Sequence, residues 1–503
     1  MKTNLKLILL LAVLICQANA KTISVSSSGT YKSISSAAAV AIAGDTIFVE
    51  GGIYSGDDFI SNLHGIDSNW ICIISDTNNP AIFKGGNFAF MMSDVSHIKI
   101  SGFVMDGQTQ NGINIDDGGS YDTPTQHIVI EYCKWLKMDA TGNNDELKMS
   151  GVDSFTVRKC TFQNGAAGGS LVDMVGCHNG VFEDNRFENS GANSIQAKGG
   201  SQNIRIQRNI FLNGGQRAIN IGGSTDKQYF RPLNADFEAQ YIGVHSNIFI
   251  GSMAPIAFVG AVRCEVVNNT FIEPERWMVR ILQENTESGM QISGKNKFSN
   301  NICYFSNNAD NEKCINIGAG TAPKTFLFSN NLWYNKENLN WAGPNTAVQH
   351  FSQILNSNPK FKDLQNNNYS LVEDSPAIGS GLELALPELD YFGQKFKSPH
   401  SIGAIEFYGQ NGIESEKAVQ SIEIYPNPAD GYIIINLGAI NSTLKHGVDN
   451  EQSQIHIYNA LGEEVMSEYI HPKSASHRMS IECLPKGLYF VEVGNHTANF
   501  VKI

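Results

Sequence analysis

Polar side chains recur along the chain, each inside a short apolar segment. In an extended strand, alternate side chains face opposite sides, so the apolar neighbours share one face and the polar residues share the other. If such strands stack in register, about 4.8 Å apart, the polar residues form a column on one outer surface. The members of this predicted column are Lys148, Asp173, Lys198, Asn220 and Arg280. We interpret the column as the working surface of the protein.

The densest group of basic residues predicts chemistry on an acidic sugar. Lys198 ends one apolar segment, and Arg217 begins the next. β-Elimination beside a uronate carboxylate requires that the carboxylate charge be neutralised, which a cationic donor or a metal ion can do. A base must then take the neighbouring proton, and a lysine can serve where nearby cations or burial lower its pKa. Lys198 could serve as this base, and Arg217, Arg231 or Arg280 as the cationic donor.

A long insertion predicts one wall of the binding site. It runs from Gly222 to Ala239 and leaves the strand pattern directly after Asn220, a position where loops often carry binding residues. The residues predicted to bind substrate are Lys148, Asp173, Gln196, Asn220, Arg231, Glu238 and Arg280. Arg280 could instead pair with Glu284.

Structural roles and other functions remain open for these residues. Lys198 could be a solvated lysine at a strand end, and Arg217 could pair with Asp173 or Glu238. A non-catalytic glycan-binding or adhesin protein would use the same polar column. A glycoside hydrolase would need paired carboxylates. Residues 116 and 117 are both aspartates, but neighbours in a strand face opposite ways.

Regular spacing of aromatic residues predicts the fold. Phe162, Phe187 and Phe211 are separated by 25 and 24 residues, and Phe249 and Phe271 by 22. A period in the low twenties is typical of a solenoid, and strand-rich units of this size indicate a parallel β-helix. Stacked units share one continuous core, and no unit is stable alone.

Asparagines beside the turns are predicted to be structural. They are Asn185, Asn209, Asn247 and Asn269. We expect them to hydrogen-bond along the stack, because asparagine tolerates the left-handed geometry of turns.

The two ends of the chain predict export. Residues 1–20 combine two lysines, an apolar run and a small-x-small site, as in a cleaved secretory signal peptide. Residues 409–420 are polar and predict a linker. The segments "YPNPA", "IYNALGEEV" and "LPKGLYFVEV" in residues 421–503 resemble the C-terminal sorting domain of the type IX secretion system of Bacteroidetes. The resemblance implies a partner in that machinery and a secreted or outer-membrane-surface location.

The region between these ends resembles a family of enzymes. Its start resembles the N-terminal cap of secreted right-handed parallel β-helices, and Lys198 followed by Arg217 is similar to the chondroitinase B and alginate lyase type of polysaccharide lyase. The resemblance implies that Lys198 is the base and that Arg217 assists at the substrate carboxylate. Residues 191–194 lack the acidic residues that the family places before its lysine. Calcium could take part, but no ligand set is identifiable.

Together these patterns predict an all-β chain, in which a right-handed parallel β-helix over residues 21–408 precedes a small C-terminal β-sandwich. At 503 residues and a net charge of −13, the composition argues against nucleic-acid binding. We expect a monomer without a membrane span that acts on an acidic polysaccharide. Eight cysteines follow the signal peptide, without the spacing of a zinc site, and core packing is their favoured role.

Overall fold

A computed structural model describes most of the chain. The described residues are 20–77, 79–120, 122–306, 314–409, 422–426, 429–437, 454–459, 464–470, 476–485, 487–493 and 496–502. The predicted signal peptide at 1–20 and the predicted linker at 409–420 lie outside these ranges, except for residues 20 and 409. The domain boundaries therefore stay predictions.

Three long parallel sheets wind along one axis. Sheet 1 contains strands Thr22–Val25, Thr46–Val49, Ile71–Ser75, Ser96–Ser101, Thr125–Glu131, Val152–Arg158, His178–Glu183, Ser201–Gln207, Ala239–His245, Ala261–Val262, Glu265–Val267, Lys297–Ser299, Leu327–Ser329 and Gln349–Phe351. Sheet 2 contains Gly52–Tyr54, Ala81–Lys84, Val104–Asp106, Lys134–Trp135, Thr161–Gln163, Arg186–Glu188, Ile210–Leu212, Ile248–Ile250, Thr270–Ile272, Ile302–Phe305, Leu332–Asn335 and Ile354–Leu355. Sheet 3 contains Asp58–Ser61, Phe90–Ser93, Ile113–Asp116, Leu147–Ser150, Ser170–Val175, Asn193–Lys198, Arg217–Gly222, Ile256–Val259, Val279–Leu282 and Ile315–Ile317. This order confirms the predicted parallel β-helix.

Short elements complete the described part of this region. The α-helix Ile34–Ala38 lies near the start, and Ser33 caps its N-terminus with a capping box. Two 3-10 helices, Lys227–Tyr229 and Pro323–Thr325, lie in loops. An antiparallel pair, Phe361–Asp363 with Asn368–Leu371, follows the last strand of the solenoid.

Stacked aromatic rings fill the core behind sheet 2. Phe162, Phe187, Phe211, Phe249 and Phe271 are parallel-strand partners in turn. Their successive ring centroids lie 5.0, 4.8, 4.6 and 4.8 Å apart, close to the spacing of the strands. The period read from the sequence is therefore the length of one turn of the solenoid, and the parallel pairing confirms the prediction.

A buried asparagine ladder runs beside the aromatic stack. The Oδ1 atom of Asn209 accepts from both the backbone N–H and the Nδ2 of Asn185, each at 3.0 Å. The same contact repeats along the stack through Asn247, Asn269, Asn301 and Asn331. The structural role is as predicted, but the stated reason was wrong. The left-handed residues are those just before the ladder, such as Asp184 and Arg208 with φ of 57° and 54°.

The cysteines behave as small apolar residues. The eight cysteines of the described chain are free thiols, and six of them are buried. Cys133, Cys160, Cys177, Cys264, Cys303 and Cys314 belong to the core of the solenoid. This agrees with the predicted core packing.

Among the described residues after 421, seven antiparallel strands form a C-terminal β-sandwich. One sheet contains Glu423–Tyr425, Tyr432–Asn436 and Ser476–Ser480; the other contains Gln454–Asn459, Glu464–Tyr469, Gly487–Val493 and His496–Lys502. Both sheets contribute to one buried apolar cluster, which includes Ile433, Ile457, Val491 and Phe500. The predicted all-β fold class is confirmed.

Candidate functional site

The outer face of sheet 3 carries the polar residues, but Lys198 does not lie in the predicted column. Lys148, Asp173, Gln196 and Asn220 are register partners on successive strands. Lys198 pairs with Val175 and therefore lies one strand from Asp173 and two residues further along. The alignment of apolar residues decides this register, because Ile195 must stack between Val172 and Ile219 in the core.

Two lysines nevertheless meet at one aspartate. Lys148 donates a hydrogen bond to Oδ2 of Asp173. The Nζ of Lys198 lies 3.3 Å from Oδ1 of the same carboxylate. This distance makes an ion pair, but the contact lacks the geometry of a hydrogen bond. Asp173 is completely buried beneath the two lysines. Asp145 adds a second carboxylate, 3.6 Å from Lys148. We call these four residues the lysine cluster.

The electrostatics of the lysine cluster distinguish its members. Burial disfavours the charged form of Lys148, but Asp173 and Asp145 outweigh burial, so the pKa of Lys148 lies above its ordinary value. Burial, together with the charge of Asp173, raises the pKa of Asp145 to about 6. Lys148 is thus held as an ammonium by two carboxylates, whereas Lys198 has one contact to one carboxylate.

The insertion Gly222–Ala239 is fastened to the solenoid by Arg231. Its guanidinium donates to both oxygens of Asp153, at 2.6 and 3.1 Å, and to the carbonyl of Gly176. Burial opposes ionisation of Asp153, but hydrogen bonds from His178 and Arg231 lower its pKa. Arg231 therefore shapes the wall of the site, although it was predicted as a substrate ligand.

Glu238 fastens the end of the insertion. It is completely buried, and its oxygens accept from the backbone of Gly199 and Thr225, the Thr225 hydroxyl and Asn285. The sequence predicts substrate binding by Glu238, but the structure turns its carboxylate into the protein. Close packing extends to Gly223, where an added Cβ would lie 2.8 Å from Gln196 Nε2 and 3.2 Å from Lys198 Cδ.

A cleft of about 520 Å³ lies between this wall and sheet 3. Its lining residues are Asp117, Gly119, Asn143, Lys148, Ser150, Gly151, Val175, Lys198, Ser224, Thr225, Asp226, Tyr229 and Arg231. Tyr229 is exposed at the rim. The cleft therefore brings together Lys148, Lys198 and Arg231 of the predicted site.

Arg217 belongs to a second polar group on the same sheet. Its register partner is Asn193, five residues before Lys198, which is roughly 16 Å along a strand. The lysine and arginine of the predicted catalytic pair, Lys198 and Arg217, therefore lie on neighbouring strands but near opposite ends of them, too far apart to act on one sugar. Arg217 donates to Asn220 at 3.2 Å and pairs with Glu284 at 2.5 Å.

Arg280 extends this second group over further turns. Its Nε donates to Asn316 at 3.1 Å, and its guanidinium lies 4.7 Å from the ring centre of Trp277. Burial and the charge of Arg217 lower the pKa of Arg280. Arg280 thus shares the column with Asn220 but lies outside the residues that line the cleft.

Sequence reasoning missed the buried carboxylate of Asp145 beside Lys148, and the carboxylates of Asp117 and Asp226 that line the cleft. Asp145 stands three residues before Lys148, a spacing that could have indicated it. Asp117 was set aside because it follows Asp116, yet it lines the cleft, where burial raises its pKa. Asp116 instead accepts hydrogen bonds from Ser93 and Asn114.

Calcium does not fit the lysine cluster. Calcium takes six to eight oxygen ligands. The carboxylates of Asp173 and Asp145 already have cationic partners. An ion at this position would have to displace a lysine.

Two parts of the sequence match known families. Residues 88–271 match the right handed beta helix region, and residues 423–503 match the secretion system C-terminal sorting domain. The chain thus carries a type IX sorting domain and is exported to the cell surface or beyond it. None of the described helices is long and apolar enough to span a membrane.

Several solved structures follow a similar chain path. A pectate lyase matches with 12% identity and a TM-score of 0.48, over 77% of this chain and 96% of its own. An alginate lyase from Paenibacillus sp. strain FPU-7 matches with 16% identity and a TM-score of 0.41, over 60% and 99%. XylC in complex with xylose matches with 10% identity and a TM-score of 0.49, over 75% and 96%. A search of curated proteins found no match.

Proposed function

We propose that this exported protein is a polysaccharide lyase that cleaves a uronate-containing polymer by β-elimination in the cleft beside the lysine cluster. The observation that carries the proposal is the convergence of Lys148 and Lys198 on Asp173 at the floor of a walled cleft. Both lysines line the cleft, so a bound uronate carboxylate would meet the Lys148 ammonium there, although Asp173 and Asp145 offset part of its charge.

The two lysines are suited to different tasks. Lys148 keeps its proton because two carboxylates stabilise the ammonium, so it can neutralise the uronate carboxylate. Lys198 is held by one ion-pair contact of 3.3 Å without hydrogen-bond geometry, so its amine is the freer of the two to approach a bound sugar. We assign Lys198 as the base.

The proposed reaction balances within the cleft. Neutral Lys198 takes the proton from the carbon beside the uronate carboxylate, and a carbon–carbon double bond forms as the glycosidic carbon–oxygen bond breaks. The departing oxygen needs a proton. Asp117, whose pKa is raised by burial, is the cleft residue that we assign as its donor.

Hydrolysis is the second candidate function, because Asp117 and Asp226 both line the cleft. A hydrolase would use one as acid and the other as base or nucleophile. Lys148 and Lys198 would then serve only to bind an acidic sugar.

Ultraviolet absorbance distinguishes the candidates. Pectate, alginate and glycosaminoglycan polymers are incubated with the protein, with and without chelator, while absorbance and reducing ends are followed together. Elimination creates a double bond conjugated with the carboxylate, so both signals rise for a lyase. New reducing ends without absorbance would support hydrolysis. Binding without new ends would identify a glycan-binding protein and refute the proposal.

A further inference from the structure

Two histidines and one aspartate form a cluster beside sheet 1, outside the residues that line the cleft. One ligand atom from each of Asp67, His97 and His127 lies within 4.8 Å of the other two. Nε2 of His97 is 2.7 Å from Oδ1 of Asp67. The rings of His97 and His127 stack with centroids 4.4 Å apart. We propose that these three residues bind one divalent transition-metal ion of the zinc type.

The backbone fixes both histidines. The strand pairing places Ile98 opposite Ile128, and therefore His97 opposite His127. Both histidines adopt the left-handed conformation, with φ of 55° and 56°, for which histidine is one of the favoured residue types. Trp70 packs edge-on against both rings, at 5.6 and 6.3 Å. The two imidazoles are therefore held in place before any ion binds.

A tight turn fixes the aspartate. Residues 66–69 close a turn through two backbone hydrogen bonds of 3.1 and 2.9 Å, with Asp67 inside it. The preceding Gly65 donates to the carbonyl of Ser96 at 2.8 Å, which ties the turn to the strand that carries His97. A Cβ at Gly65 would lie 2.6 Å from the carbonyl of His97, so glycine is required for this approach.

The donor set selects the class of ion. Two imidazoles and one carboxylate suit zinc and its transition-metal neighbours, and three protein ligands leave a position for water. Calcium and magnesium prefer oxygen ligands. Within the described residues, Nδ1 of His97 is buried and has no hydrogen-bond partner. A simple ion pair between His97 and Asp67 would not require His127.

The ion would join the turn at residues 66–69 to two strands of sheet 1. A ligand that binds only the folded state raises its stability, so zinc should raise the unfolding temperature.

Zinc titration by calorimetry tests the proposal, with untagged and chelator-treated protein. The test variant is His127→Asn. The chain itself uses asparagine at the equivalent left-handed position of later turns, at Asn179 and Asn203, with φ of 57° and 56°. The matched control is His64→Ala, because His64 lies in the same loop but contacts Ser96 instead, at 3.1 Å.

We expect the wild type and His64→Ala to bind one equivalent of zinc equally well. His127→Asn and Asp67→Asn should each weaken binding by at least about tenfold, the smallest effect usual for loss of even an indirect metal partner. Copper(II) bound to the wild type should show coupling to two imidazole nitrogens by electron paramagnetic resonance, which needs no variant. Unchanged zinc affinity in His127→Asn, or copper spectra without nitrogen coupling, would overturn the proposal.

Discussion

Lys198 lies one strand from Asp173 and two residues further along, yet its Nζ reaches to 3.3 Å from the Asp173 carboxylate. The lysine crosses from its own register position to the column that Lys148 and Gln196 occupy. Asp173 therefore contacts two lysines, one that is its register partner and one that lies two residues further along the next strand. This arrangement leaves Lys198 less tightly held than Lys148, and the proposed division of tasks depends on it.

Replacement of the proposed base should stop turnover without unfolding the protein. Lys198→Ala is expected to lower kcat at least about a hundredfold, the usual effect of losing a general base. Because a partly exposed cleft lysine contributes little to stability, the unfolding temperature should change little. Lys134→Ala, at an exposed position of sheet 2, is the control. Full activity of Lys198→Ala on the polymer that the wild type cleaves would refute the assignment.

Arg217 should matter more for long substrates than for short ones. Arg217→Ala is expected to raise KM and lower kcat for a polymer, because the arginine lies roughly 16 Å along the sheet from Lys198. A uronate disaccharide that fits within the cleft should be affected much less. Kinetics on chains of increasing length measure this difference. An equal effect on every length would place Arg217 at the reacting sugar.

Acid should strengthen uronate binding in the cleft. The pKa of Asp145 is raised to about 6, so between pH 7 and 5 it takes up a proton and the lysine cluster gains one positive charge. The affinity for a uronate monosaccharide, measured by NMR titration, should rise roughly fivefold, the effect of about 1 kcal/mol from one added charge. Asp145→Asn should remove this pH dependence. If the dependence persists in the variant, another group is responsible.

The asparagine ladder should resist substitution. Asn209→Ala would leave two buried donors of Asn185 without their acceptor, at a cost of at least about 2 kcal/mol in the free energy of unfolding. Gln163→Ala removes a partly buried amide that donates to Glu188, and should cost less than about 1 kcal/mol. Thermal unfolding followed by circular dichroism compares the two. Equal unfolding temperatures of Asn209→Ala and Gln163→Ala would show that the ladder does not stabilise the fold as proposed.

Export should trim both ends of the chain. The extracellular protein is expected to lack residues 1–20, and in released form also the domain after residue 420. Mass spectrometry of culture medium from a Bacteroidetes host measures both. Deletion of residues 421–503 should retain the protein inside the outer membrane. An intact C-terminus in soluble medium would contradict trimming.

The repeat could be predicted from sequence because its signals are local and identical in each turn. Phe187 and Asn209 each contact their counterparts in the next turn, so their spacing alone reports the structure. The prediction that Lys198 lies in the column was wrong. Lys198 was chosen over Gln196 for its charge, and the alignment of the neighbouring apolar residues was not used. Aligning Ile195 with Ile219 would have given the observed register.

The wall of the cleft could not be predicted in the same way. Arg231 finds its partner 78 residues earlier in Asp153, and no local pattern records that contact. The sequence around Glu238 is typical of an exposed loop. In the structure Glu238 is buried, and its hydrogen bonds hold the end of the insertion against the solenoid. Long insertions fold against surfaces whose positions depend on the whole solenoid.

The buried thiols inside the solenoid are chemically unreactive while it is folded. Burial raises the pKa of Cys177 and of Cys264 to about 12, so almost no thiolate is present to be oxidised. The exposed Cys483 lies within residues 423–503, so removal of that domain would also remove this exposed thiol from the protein.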